Sequence, residues 1–244
     1  MTTNPRRTAA VTGAASGIGR ALAAHLSEHD YDVTLADIDR DGVEAVADTI
    51  GGHRSVTLDV SDAGAMERFA DDIGPVDLLC LNAGVLGASM GPPWEAAPAE
   101  WDRVLGVNLH GVVNGLRSFV PRLLQDQRSH GILITASLAG TLTWPGGGAY
   151  AASKHAVLAV AEQAAIHLAD SPISVTVTCP TLVRTAMSDV GDDPADVAAL
   201  ALDAVASETF AVVSPGWSEA LRARAEMLTT GCRPETPLPD AEAS

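Results

Sequence analysis

The chain has 244 residues, of which 47% are apolar and 19% charged, and it carries a formal net charge of -16 at pH 7. That length and apolar content suffice for one large α/β core, while acidic residues spread in many short clusters give a surface that repels phosphate backbones, which argues against a nucleic-acid partner. No apolar run approaches the ~18 residues a membrane helix needs, and "MTTNPRRTAAVTG" enters a strand pattern without an export signal's apolar segment, so a cytoplasmic protein with no membrane partner is expected.

Seven short runs rich in Val, Leu, Ile and Thr alternate with longer alanine-rich stretches of helical periodicity. "TAAVTG" leads to a helix from about Ser16, "DVTLAD" to one from Arg40, and "SVTLDV" to one from Asp62. "VDLLCLNAG" leads to a helix from Pro98, "GILITAS" to one from Gly148, "SVTVTCP" to one from Pro194, and "TFAVVSP" to one from Pro215. The strand runs are continuously apolar, which suits strands covered on both faces, and the alternation gives βαβ units in a doubly wound parallel sheet. Such a sheet receives its ligand at the carboxyl ends of the strands, near the point where strand order reverses. One Rossmann-type domain over residues 1–232 is expected, with 233–244 a flexible tail because "RPETPLPDAEAS" is rich in proline and charge. Cys80, Cys179 and Cys232 are odd in number and widely spaced, as reduced thiols are.

Directly after the first strand, "TGAASGIGRALAAHL" places Gly13, Gly17 and Gly19 at a bend that opens a helix. Glycines there let the backbone approach a pyrophosphate, which the free N–H groups and the positive helix end then meet, with Ser16 and Ile18 at the same turn. Asp37 ends the second strand 18 residues beyond Gly19, the separation at which a carboxylate reaches the adenosine ribose hydroxyls. It would repel a 2'-phosphate, so NAD is favoured over NADP, although Arg40 stands close in sequence.

"AYAASKHA" contains Lys154, the only lysine in the chain, four residues after Tyr150, one of two tyrosines. On a helix the two project from one face. An ammonium ~4 Å from the phenol would stabilise the phenolate by up to ~4 kcal/mol at an intermediate dielectric and bring Tyr150 into the range of a general acid/base. Ser137 ends a strand thirteen residues upstream, where its hydroxyl can bind a substrate oxygen.

Thr12, Gly13, Gly17 and Gly19, then "NAG" at Asn82 to Gly84, "VNLHG" with Asn108, Ser137, and Tyr150 with Lys154 together resemble the short-chain dehydrogenase/reductase family, in order and spacing from residue 8 to about 190. The resemblance implies a seven-stranded Rossmann-type domain, a homodimer or homotetramer, passing hydride between nicotinamide and a small-molecule alcohol or ketone. It implies Tyr150 as acid/base, Lys154 lowering its pKa and holding the nicotinamide ribose, and Ser137 orienting the substrate. Asn108 would hold a water that links Lys154 to solvent. Asp59 and Val60 would meet adenine, Asn82, Ala83 and Gly84 would run along the cofactor, and Pro180, Val183 and Thr185 would lie near the nicotinamide.

Thr181 stands where many members of that family carry a glycine, and the segment from Pro180 to the next helix is short. Leu138, Trp144, Leu182 and Met187 are the expected substrate contacts, with Trp94 approaching from the loop after the fourth strand. Their apolar character points to an alicyclic or aromatic secondary alcohol, with Arg184 as the one nearby candidate for a carboxylate clamp. A ketoreductase or acyl-thioester reductase is the alternative enzyme, and a non-catalytic NAD sensor the alternative of another class. His25 and His29 share helical spacing, but no further ligand completes a set, so no metal is expected.

Overall fold

The structure is a computed structural model that describes residues 6–88, 91–126, 128–185 and 188–239. Seven strands, β1 (Arg7–Thr12), β2 (Tyr31–Asp37), β3 (Arg54–Thr57), β4 (Leu78–Leu81), β5 (His130–Thr135), β6 (Ile173–Cys179) and β7 (Ala211–Val213), form one sheet. The order is β3-β2-β1-β4-β5-β6-β7, and every pairing is parallel. The chain therefore winds outward from β1 in one direction and, from β4 onward, in the other. The reversal lies between β1 and β4.

Each expected strand is present, although β3 stops at Thr57, before "LDV". Helices α1 (Gly17–Glu28), α2 (Arg40–Thr49), α3 (Ala63–Ile73), α4 (Pro98–Leu105), α5 (Gly111–Gln125), α6 (Gly148–Leu168), α7 (Pro194–Ala206) and α8 (Ser218–Thr230) fill the connections. Side-chain caps explain several starts. Asp39 accepts from the Gly42 N–H, Asp62 from those of Gly64 and Ala65, and Asp193 from that of Ala195, so part of the acidic excess works as helix caps. Pro98 and Pro194 sit in first turns, where their missing N–H costs nothing. The stretch from Pro98 to Gln125 is interrupted by a π-helical turn, Gly106–His110, which no sequence signal anticipated.

Two apolar layers sandwich the sheet. Met66, Phe69, Phe119, Leu123, Val157 and Ala161 from α3, α5 and α6 pack on one face, together with Leu79, Leu81, Ile132 and Ile134. Leu22, Leu26, Val43, Ala198 and Ala201 from α1, α2 and α7 pack on the other, with Leu78, Cys80 and Leu133. Successive residues of β4 and β5 alternate between the two layers, so both faces of each strand are buried and the run reads as unbroken apolar sequence. Cys80 and Cys179 are buried and Cys232 exposed, all three as free thiols. Among the described residues no helix is long and apolar enough to cross a membrane.

Candidate active site

A cavity of about 1240 Å³ opens at the carboxyl ends of the strands. Its lining runs from Asp37 and Asp59, beside β2 and β3, past the glycine turn to Pro180, Leu182 and Val183, beyond β6. Pockets for one drug-sized ligand hold ~300–1,000 Å³, so this one has room for a dinucleotide and a second molecule.

The glycine turn is shaped by close approach. A Cβ on Gly19 would lie 2.0 Å from the Gly13 carbonyl oxygen, and one on Gly17, whose φ is 53°, would lie 2.8 Å from Thr185 Cγ2. Gly13, Ser16, Gly17 and Ile18 face the cavity, while Gly19 is buried behind the turn. Ser16 precedes α1 without a side-chain cap, so the first-turn N–H groups are left to the cavity. Asp37 is held by two backbone donors, Ala15 N to Oδ2 at 2.9 Å and Asp39 N to Oδ1 at 3.0 Å, which fixes its carboxylate at the cavity end. Arg40 is engaged elsewhere, by Glu44 at 2.9 Å one turn along α2. Asp59 and Val60 line the same end. Asp59 Oδ1 accepts from Ser61 Oγ at 2.6 Å, and Asn114 Nδ2 donates to the Val60 carbonyl at 3.0 Å. These residues fit an adenosine with unphosphorylated ribose hydroxyls and a pyrophosphate over the glycine turn.

In the middle of the cavity Asn82, Ala83 and Gly84 form the floor. The Asn82 side chain is spent on the frame, donating to the Thr12 carbonyl at 3.1 Å and accepting from Thr135 Oγ1 at 3.0 Å. Thr12 Oγ1 in turn accepts from the N–H groups of Asn82 and Ala83.

Tyr150 and Lys154, one turn apart on α6, both line the cavity. Lys154 is 4% exposed; Nζ donates to the Thr135 carbonyl at 2.8 Å and lies 5.8 Å from the Tyr150 ring centroid. Tyr150 and Ser137 line the same cavity, near enough that the Ser137 hydroxyl favours the phenolate. Ser137 Oγ also accepts from the Ala139 N–H at 3.1 Å, so its own proton is free to be donated. Trp144 packs edge-on against the Tyr150 ring with centroids 6.5 Å apart.

Burial raises the Tyr150 pKa above the ordinary phenol value, and the Ser137 hydroxyl offsets part of the rise. The same burial pushes the Lys154 amine down to about 8, with neighbouring Cys179 acting the other way. The expectation that the ammonium would set the phenol's pKa is corrected accordingly. Excluding water disfavours both charged forms and is the largest influence on each group.

Asn108 sits in the π-helical turn, fully buried and outside the cavity lining. Its Oδ1 accepts from Val85 N at 2.7 Å, and its Nδ2 donates to Val85 O at 3.0 Å and Ser153 Oγ at 2.9 Å. It thereby ties the loop after β4 to α6, one residue from Lys154. Its side chain faces these partners.

Beyond β6 the chain doubles back in a small hairpin-shaped loop closed by a parallel bridge between Val183 and Asp192, with Arg184 N to Asp192 O and Asp192 N to Leu182 O both at 2.9 Å. Thr181 Oγ1 donates to Asp192 Oδ2 at 3.0 Å, so the residue that departs from the usual glycine latches the base of this hairpin. Arg184 is turned into the same hairpin, onto the Gly191 carbonyl and Asp193 at 2.9 Å each, and is no carboxylate clamp. Pro180, Val183 and Thr185 line the cavity here, as do Leu138, Trp144 and Leu182. Met187 lies outside the described residues. Trp94 is 80% exposed and does not line the cavity, because the loop after β4 carries it to the surface. Trp217, Thr236 and Pro237 do line it, and sequence reasoning missed them. Among the described residues no three His, Cys, Asp or Glu side chains gather to hold a metal.

The sequence profile of the short chain dehydrogenase family matches residues 7–194. The chain belongs to that family. A short chain dehydrogenase is an oxidoreductase acting on a CH–OH group, which agrees with a Ser137, Tyr150 and Lys154 set converging on one cavity wall. Over 227 residues, 85% of this chain and 82% of the relative, it is 37% identical to a 1-deoxy-11-beta-hydroxypentalenate dehydrogenase of Streptomyces exfoliatus. It is 34% identical to an uncharacterised NAD-dependent oxidoreductase of Mycobacterium tuberculosis, covering 74% of this chain and 73% of that one. Among solved structures, a short chain dehydrogenase/reductase from Burkholderia phymatum in complex with NAD superposes with a TM-score of 0.89 at 30% identity, covering 98% of this chain and 99% of that one.

Proposed function

We propose that this short chain dehydrogenase uses NAD to interconvert a hydrophobic secondary alcohol, alicyclic or aromatic, and its ketone. The observation that carries the reading is the placement of Ser137, Tyr150 and Lys154 in one cavity with Asp37 at its far end. Relatives named for dehydrogenation of a hydroxylated compound and for NAD dependence support it. Gly13, Ser16, Gly17 and Ile18 would hold the pyrophosphate, Asp37 the adenosine ribose, Asp59 and Val60 the adenine, and Lys154 the nicotinamide ribose. Asn82, Ala83 and Gly84 would floor the cofactor, and Pro180, Val183 and Thr185 would border its reactive end. When bound, NAD supplies the hydride acceptor for oxidation of the alcohol.

Tyr150 takes the substrate's hydroxyl proton during oxidation and returns it during reduction, within hydrogen-bond reach of the same oxygen. Ser137 donates to that oxygen and stabilises its developing charge. Lys154 supplies positive charge beside the phenol, and Asn108 holds the surrounding loop and α6 in place. Because burial keeps Tyr150 protonated near neutral pH, ketone reduction is favoured there and alcohol oxidation is favoured as pH rises. Leu138, Trp144 and Leu182 offer apolar contacts, and Arg184 is occupied, which suits an uncharged substrate.

A spectrophotometric screen of NAD and NADP against cyclic and aromatic secondary alcohols tests this, with wild type beside Tyr150→Phe. NAD-linked turnover that falls ~10²–10⁴-fold in the variant is expected. Equal rates would remove Tyr150 from the mechanism, and NAD binding without turnover across the panel would favour a non-catalytic NAD-binding protein. We further propose a homo-oligomer in a reducing cytoplasm, from the exposed Leu124 on α5 and Ile166 on α6 and the three free thiols. A monomer in light scattering would contradict the assembly.

A further inference from the structure

The cavity has a wall that lies outside the strand-end motifs. Trp217 stands at the start of α8, four residues beyond the end of β7, and lines the cavity. It belongs to the end away from Asp37 and Asp59, because Ser214, which leads to it, accepts through Oγ from the Thr181 N–H at 3.0 Å. From Trp217 the chain leaves the body of the protein. None of the thirteen residues of α8 is buried, and only Ala220, Leu221, Arg224 and Met227 are half-buried, a single stripe at helical spacing.

That helix is ~20 Å long. It ends at Gly231, whose φ of 72° is the left-handed conformation that reverses a chain, and whose N–H bonds to the Met227 carbonyl. Five residues later Thr236 and Pro237 line the cavity again. Five residues span at most ~18 Å, so the return from the end of α8 to the cavity is a short strap. Pro234, Pro237 and Pro239 favour an extended course along it by fixing φ. Thr236 and Pro237, within the segment expected as a flexible tail, border the cavity.

Trp144, 37% exposed, and Leu182, 59% exposed, line the same cavity. Two indoles, a leucine and a proline thus share it with Ser137 and Tyr150. We infer that the excursion from Trp217 to Pro237 is the outer wall of the substrate site, and that Trp217 and Pro237 select a rigid, multi-ring apolar alcohol over a small one. The inference rests on the proposed reading of the cavity as an alcohol site and adds which residues measure the substrate. A single-ring alcohol reaches Ser137 and Tyr150 without spanning to the strap. A fused bicyclic or tricyclic one meets Trp217 and Pro237 on its far side.

The test uses full-length protein saturated with NAD, as wild type, Trp217→Ala and Pro237→Glu, each checked for folding by circular dichroism. Calorimetric titration with cyclohexanone and with a fused bicyclic ketone reads binding apart from turnover, and kcat/KM for the matching alcohols reads selectivity. Wild type should bind the bicyclic ketone more tightly. Each variant should lose at least tenfold affinity for it, with cyclohexanone binding and the dissociation constant of NAD changed less than twofold. Unchanged bicyclic binding in both variants, or equal losses for both ketones, overturns the inference, as does a wild type that binds neither. Bicyclic binding that depends on Trp217 and Pro237 without turnover of any alcohol would sustain this wall and sink the dehydrogenase reading, so the two failures are separable.

Discussion

Replacing Lys154 with Met tests the electrostatics of the site through stability alone. Lys154 is the only lysine in the chain, and burial lowers its pKa from 10.5 to about 8. A shift of that size is worth up to about 3 kcal/mol. The sign follows from proton counts. Below pH 8 the amine is protonated in both folded and unfolded chains, so the cost of burying its charge is fully present. Between about 8 and 10.5 the unfolded chain holds a proton that the folded chain has released, and stability rises with pH. Relative to Lys154→Met, wild type should therefore gain about 2 kcal/mol between pH 7 and 9.5, nearly all of it above pH 8. Urea unfolding of both proteins at pH 7, 8, 9 and 9.5, followed by circular dichroism, measures this difference. Distant tyrosines and thiols cancel in the subtraction, and repeating the pair in a Tyr150→Phe background removes the coupled phenol. A stability difference that stays flat from pH 7 to 9.5 would refute a buried amine with a depressed pKa.

Two further outcomes follow from the ends of the cavity. Asp37→Asn removes the charge and one of the two backbone hydrogen bonds, since an amide NH2 cannot accept, so discrimination against NADP should fall at least tenfold, mainly through a lower KM for NADP; unchanged preference would take Asp37 out of cofactor choice. Thr181→Val deletes the hydroxyl that latches Asp192, an exposed hydrogen bond worth ~0.5–1.5 kcal/mol, while nearly preserving volume. Proteolysis within the hairpin should accelerate and KM for the alcohol should rise, with NAD affinity retained; equal cleavage rates would show that the latch holds nothing.

What the sequence disclosed depended on local rules. The glycine turn, the aspartate at the end of β2 and the Tyr150 to Lys154 spacing are legible because each chemistry is imposed by a short span: a bend, a strand end, one helical turn. The helix starts at Arg40, Asp62, Pro98, Gly148 and Pro194 are legible because caps and prolines act on their own first turns. Contacts across long separations were not. Asn108 is absorbed by Val85 and Ser153, Asn82 by Thr12 and Thr135, and Arg184 by its own hairpin, and in each case tertiary hydrogen bonding decides where the polar group points. The direction of the Tyr150 pKa was misjudged because charge proximity can be read from spacing, whereas burial cannot. The role of Trp217, Thr236 and Pro237 was hidden because a proline-rich segment looks the same whether it is loose or stretched over a cavity.

The Thr12, Asn82, Thr135 and Lys154 contacts form an unbroken row from the turn after β1 to the amine on α6. Every member sits on a strand end or on the long helix, so the distance between nucleotide and proton donor is set by sheet spacing. The hairpin and the strap hang outside that row. Changes in either can re-tailor what fits without shifting the reacting geometry, which makes the two appendages the natural places to redirect this scaffold toward other alcohols.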